Sequence, residues 1–82
     1  MTPETILEEL TTILSDVLSD DTILLTMHTV RSDIPDWDSF SYIAFMVGVE
    51  ERFGIKFKTS DIESFANVGE IVQRVSDLKS LP

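Results

Sequence analysis

Apolar residues recur at helical spacing from the start of the chain. Ile6, Leu7, Leu10, Ile13, Leu14, Val17 and Leu18 fall on one stripe, with Glu8, Glu9, Thr12, Ser15 and Asp16 outside it. Thr2 is placed to cap this helix, Pro3 suits its first position and Glu4 its positive end. The spacing predicts a helix ending near Leu18 or Ser19. The pattern then breaks over residues 20–37, "DDTILLTMHTVRSDIPDW". "TILLTMHTV" has strand-like composition, but the chain offers it no convincing partner strand, and a lone strand leaves its backbone groups unpaired. The segment therefore predicts a long ordered loop, pinned by Ile23, Leu25, Val30 and Ile34, with room for a short helical turn. Connections of this length tend to be functional.

A second helix is predicted after Pro35, with Asp38 as its N-cap, running to about Phe53 before Gly54 stops it. A short third follows at "TSDIESF", where Ser60 and Glu63 have capping-box spacing, and a fourth at "NVGEIVQRVSDLK", where Asn67 and Glu70 repeat it. Val68, Ile71, Val72, Val75 and Leu78 form the fourth helix's apolar stripe. The expected fold is all-α: a small four-helix bundle of three main helices and one short one, with a long first loop.

The second helix is too apolar for one buried face. Tyr42, Phe45, Met46, Val49 and Phe53 gather into one stripe at about 100° per residue. Phe40, Ala44 and Val47 lie on another side, with Ile43 between that side and Ser39. Two readings fit this periodicity: the helix is central and mostly core, or Phe40, Ile43 and Val47 form an exposed strip for partners, with Glu50 and Glu51 as its charged rim.

Composition narrows the functions available. Eighty-two residues predict a single domain over positions 1–82. Fifteen acids against six bases give a net charge of −9, which repels phosphate backbones and anionic lipid surfaces. Neither a nucleic acid nor a membrane is the expected partner; a protein with a basic docking patch complements such a surface, which serves plain solubility equally well, and the chain itself is expected to be a monomer. With no cysteine there is no disulfide and no thiolate site, so any thiol chemistry must use a borrowed thiol. "MTPETILEEL" has neither a basic start nor an apolar run, and the expected location is cytoplasmic.

Ser39 is the candidate for chemistry. If Asp38 caps the second helix, the neighbouring hydroxyl is free to face solvent, and a phosphate attached there would meet unpaired amide N–H groups and the positive helix end. A hydrolytic role is rejected: "WDSFS" is not the elbow of serine hydrolases, and the sole histidine is His28. Asp33, Asp36 and Asp38 hint at a cation site but lack the central glycine and the twelfth-position glutamate of a calcium loop, so no metal site is expected. Trp37 is read as anchoring the loop against the second helix.

"DIPDWDSFSYIAFMVGVEERFGIKF" resembles the signature of acyl carrier proteins, in which an Asp-Ser-Leu-like triplet opens the second helix. "EERFGIKF" resembles the acidic end and exit of that helix, and "TSDIESFANVGEIVQRV" is similar to the family's third helix and the start of its fourth. The resemblance implies that Ser39 takes 4′-phosphopantetheine, bound covalently, from coenzyme A. Asp38 would match the acid before the modified serine. The arm's thiol would hold acyl groups as thioesters. The implied partners are a phosphopantetheinyl transferase, an acyl-loading ligase or transferase, and downstream pathway enzymes. Phe40, Ile43, Val47, Glu50 and Glu51 fall on the implied recognition face, and no residue of the chain is expected to be catalytic. Phe40 stands where leucine is usual, Asp36 and Trp37 replace a small approach often containing glycine, and Ala44 sits where an acid is common. These departures point to a specialised pathway. The alternative is a carrier-like bundle that docks partners without carrying an arm.

Overall fold

The computed structural model describes residues 2–80. Four α-helices make up the fold: α1 Pro3–Leu18, α2 Ser39–Phe53, α3 Thr59–Ser64 and α4 Val68–Ser80. A single 3-10 turn, Arg31–Asp33, sits in the long first connection, and no strand occurs among the described residues. The bundle is all-α, as the periodicity predicts. None of its described helices is long and apolar enough to cross a membrane.

Local chemistry fixes the helix ends. Thr2 Oγ1 accepts from Thr5 N–H at 3.2 Å at the start of α1, and Ser19 closes that helix in the left-handed region. Gly54 ends α2 at φ 64°, a conformation glycine adopts without steric cost, and the next amide, Ile55 N–H, reaches back to the Glu50 carbonyl at 3.1 Å. Asn67 Oδ1 accepts from Glu70 N–H at 3.0 Å, as the capping-box spacing predicts. The Ser60–Glu63 box does not form. The helix starts earlier, after Lys58, and Asp61 reaches back to accept from Lys58 N–H at 3.2 Å. An aspartate at the third helical position does this as well as the glutamate expected two residues later, so the register moved.

The core is shared by three helices. Ile6, Leu10, Ile13 and Leu14 of α1 meet Phe45, Met46, Val49 and Phe53 of α2 and Val68, Ile71, Val72 and Val75 of α4. Leu25, Trp37 and Phe57 join them from the connections. Tyr42 is only half-buried, and α3 contributes no fully buried residue. Arg52 of α2 pairs with Glu9 of α1, and Lys79 Nζ donates to the Phe53 carbonyl at 3.1 Å, tying α4 to the end of α2.

The long loop is ordered by its backbone. The first turn of any helix has amides with no partner inside it. Here the Val68 and Gly69 amides donate to the loop carbonyls of Thr29 and Met27, at 2.9 and 2.8 Å. Leu25 and Thr29 are buried, while Ile23, Val30 and Ile34 pack half-buried against the core or its margin. The loop is thus the cap of α4, which is why so long a connection keeps one path.

Candidate functional site

Residues 36–41 build the start of α2. Asp36 adopts φ 70°, the left-handed conformation that glycine tolerates best and aspartate better than most. That turn sends Trp37 inward, where it is 4% exposed and meets Phe45 edge to face at 5.2 Å. Trp37 therefore anchors the approach, as expected. The same turn leaves Asp38 and Ser39 outside.

Asp38 and Ser41 cap the helix between them. Asp38 Oδ1 accepts from Ser41 N–H at 2.9 Å, and Ser41 Oγ accepts from Asp38 N–H at the same distance. The Ser41 hydroxyl also lies 2.8 Å from the Asp36 carbonyl. The Ser41 amide, then its hydroxyl, hold the Asp38 carboxyl below the usual carboxylate range. Ser39 is left over. It is exposed, and its hydroxyl makes no hydrogen bond among the described residues.

Two surfaces meet at Ser39. One is an open apolar shelf of about 530 Å³ bounded by Ser39, Phe40, Ile43 and Ala44. Phe40 is 86% exposed, with Ile43 and Val47 at 53% and 48%. One face of α2 is thus buried in the core and the other is bare. The second surface is a cleft of about 560 Å³ between α2, α3 and the 3-10 turn, walled by Tyr42 and Ile43 on one side and Ile62, Glu63 and Phe65 on the other. Arg31 reaches into it, its guanidinium 4.9 Å above the Tyr42 ring. The Tyr42 hydroxyl donates to the Ile62 carbonyl at 2.7 Å, and burial raises its pKa above the ordinary phenol value.

The acidic rim divides. Glu51 is exposed at the far end of the face. Glu50 is not available there: its side chain is 14% exposed, and its carboxylate accepts from Phe57 N–H at 2.8 Å, with Lys56 Nζ 3.8 Å away. It holds the exit of α2 in place. The cause is the tight turn at Gly54, which brings the Phe57 amide back under the helix and leaves it needing an acceptor.

The cleft, Arg31 and the Tyr42 hydroxyl were not foreseen. A tyrosine in an apolar stripe and an arginine inside a loop carry no local pattern linking them. Among the described residues no group of three or more potential metal ligands gathers, and Asp33 is instead turned to the Val30 amide at 3.0 Å.

For a phosphate-linked group, the residues present fit the requirement. An exposed oxygen stands at a helix start whose cap comes from its neighbours, with open space on both sides. No protein-family model matches the chain, and no curated protein does. A solution structure of a holo acyl carrier protein from Geobacter metallireducens superimposes with a TM-score of 0.81 at 36% identity, covering 88% of this chain and 83% of that one. Agreement of that extent goes beyond a shared helical architecture, and this chain belongs to the acyl carrier protein family.

Proposed function

We propose that this protein carries 4′-phosphopantetheine on Ser39 and shuttles acyl groups, as thioesters on that arm, between enzymes of a specialised biosynthetic pathway. One observation carries the reading: the cap of α2 is closed by Asp38 and Ser41, so the Ser39 hydroxyl between them is exposed and uncommitted. The holo state of the related structure agrees with it.

The chemistry asked of the chain is limited to presenting a nucleophile. The Ser39 oxygen attacks the coenzyme A phosphorus that bears pantetheine, and the new O–P bond forms. The bond from that phosphorus to the adenosine 3′,5′-bisphosphate leaving group breaks, and the serine proton passes to a base of the transferase. When bound, the arm supplies the thiol that the chain lacks and keeps its cargo at high local concentration near a docked enzyme. The chain's own residues hold the attachment point rigid through the Asp38–Ser41 cap and offer Phe40, Ile43, Val47 and Glu51 for docking. Loading enzymes and downstream enzymes use this same face in turn, on a monomeric carrier in the cytoplasm. Ala44, exposed on that face without the acid common in the family, supports a dedicated set of partners.

Incubation with coenzyme A and a broad-specificity phosphopantetheinyl transferase, followed by intact mass, tests the reading. The expected result is the gain of one phosphopantetheine, absent in Ser39→Ala. An unchanged mass with several competent transferases would leave a bundle that docks partners without an arm.

A further inference from the structure

Presenting a thioester does not require a cation, yet one stands beside Ser39. The other two arginines of the chain are ion-paired, Arg52 with Glu9 and Arg74 with Asp61. Arg31 has no carboxylate oxygen within 4.0 Å among the described residues. Its guanidinium lies instead over the Tyr42 ring, and Tyr42 is held by its bond to the Ile62 carbonyl. Stacking on an anchored aromatic ring orients a guanidinium while leaving its in-plane donors free, the state suited to a carboxylate or phosphate.

Arg31, Tyr42, Phe65 and Ala66 also wall a separate space of about 30 Å³ that Trp37 lines. The Trp37 indole N–H is buried with no partner. A space of this size takes a single small polar group such as one water. The cleft from Ser39 inward thus offers a cation without a carboxylate partner, with the buried Trp37 indole behind it as a reporter of its inner wall. Its opposing acid is Glu63, on the exposed side of α3 and not within ion-pair distance of Arg31.

We propose that this cleft binds an anionic group carried on the Ser39 arm, with Arg31 as the counter-ion. The proposal rests on the arm reading above. Two sources supply the same chemistry: the arm's own phosphodiester, or a free carboxylate at the far end of a dicarboxylic acyl cargo that folds back along α2.

Intact mass first establishes that the arm and each cargo are attached, so failure at that step is failure of the arm reading alone. Proton–nitrogen spectra then follow the Arg31 Nε–H and Trp37 Nε1–H signals in apo, holo, octanoyl and suberyl forms, the last two differing only in a terminal carboxylate. An Arg31 shift common to all arm-bearing forms identifies the phosphodiester. A shift confined to the suberyl form identifies the carboxylate. In either case Arg31→Gln should abolish the accompanying Trp37 shift, and Arg31→Lys should retain part of it, with arm attachment unchanged. Arg31 signals that are the same in all four forms, or a Trp37 shift that survives Arg31→Gln, would overturn the proposal.

Discussion

At the level of single residues, the site depends on a division of labour among neighbours that differ by one position. Asp38 takes the cap, Trp37 the core, and Ser39 neither. Because hydrogen bonds from Ser41 lower the Asp38 pKa in the folded state, folding is favoured by its ionised form. That contribution is complete above the unfolded value of 3.8 and is lost as pH falls through the lower folded value. Asp38→Asn keeps an acceptor for the Ser41 amide but removes the titration. Its urea midpoint should fall less steeply than that of the natural chain as pH drops below 3.8, and identical slopes would show that the cap charge is immaterial. Asp20, lowered by Thr22, supplies an acid-sensitive share that Asp38→Asn leaves in place. The Asp38 cap was legible because aspartate before an apolar run is a helix-start signal. The reciprocal bond from Ser41 was not, since the third position of such a box is read by its glutamate or glutamine. Glu50 shows the other way a residue escapes reading. Its sequence position puts it on the rim, but the amide it satisfies belongs to Phe57, beyond a turn whose path no spacing rule gives. Glu50→Lys should therefore lower the unfolding free energy, read from urea titration, by about 1–3 kcal/mol for an amide left without its charged acceptor. Glu51→Lys should leave stability within about 0.5 kcal/mol and weaken transferase binding instead. Equal loss of stability in both variants would contradict that separation.

Between elements, the two features that the periodicity could not supply are the path of the long loop and the attachment of α3. The strand-like run in the loop finds its hydrogen-bond partners in the open amides at the start of α4, a backbone-to-backbone match with no side-chain signature. Gly69 is the signature in retrospect. A Cβ there would stand 2.6 Å from the Met27 carbonyl oxygen, an atom of the main chain that cannot rotate away. Alanine would gain up to about 1 kcal/mol in helix propensity. Against this stand overpacking at about 1–3 kcal/mol and the loss of the 2.8 Å bond to Met27. The clash prevails, so Gly69→Ala should be destabilising by about 1–2 kcal/mol, with faster amide exchange at Val68 and residue 69. Unchanged exchange would show that the loop does not cap α4. The short α3 is held by its neighbours: Arg74 of α4 pairs with Asp61 at 3.2 Å, and the Tyr42 hydroxyl reaches Ile62. The Tyr42 pKa is raised by burial, which favours the neutral phenol in the fold, so that contribution is complete below the unfolded value of 10.0 and fades as pH rises through the folded one. Tyr42→Phe should lose that alkaline dependence, and α3 amides in the variant should exchange faster than those of the natural chain at the same pH.

Across the whole molecule, three helices close one core, and α2 has more apolar surface than that core can use. Its inner face is consumed by α1 and α4, while the surplus, Phe40, Ile43 and Val47, faces water around Ser39. A bundle gains little stability from a phenylalanine left 86% exposed, and on the proposed docking face its apolar area would count only against a partner. Phe40→Ala should accordingly leave the unfolding free energy within about 0.5 kcal/mol. The same change should raise the transferase KM about tenfold, equivalent to ~1.4 kcal/mol of docking. The net charge of −9 acts over a longer range than any such contact and would chiefly speed encounter with a partner of basic surface. Surface charges are screened beyond about 10 Å at 0.1 M salt and about 3 Å at 1 M. Raising salt should therefore reduce kcat/KM for arm transfer in the natural chain and in Phe40→Ala by the same factor, because steering precedes contact and does not depend on the aromatic ring. The two effects would then multiply. A Phe40→Ala chain whose residual transfer no longer responds to salt would mean that charge and apolar contact act in one step, with no separate long-range approach.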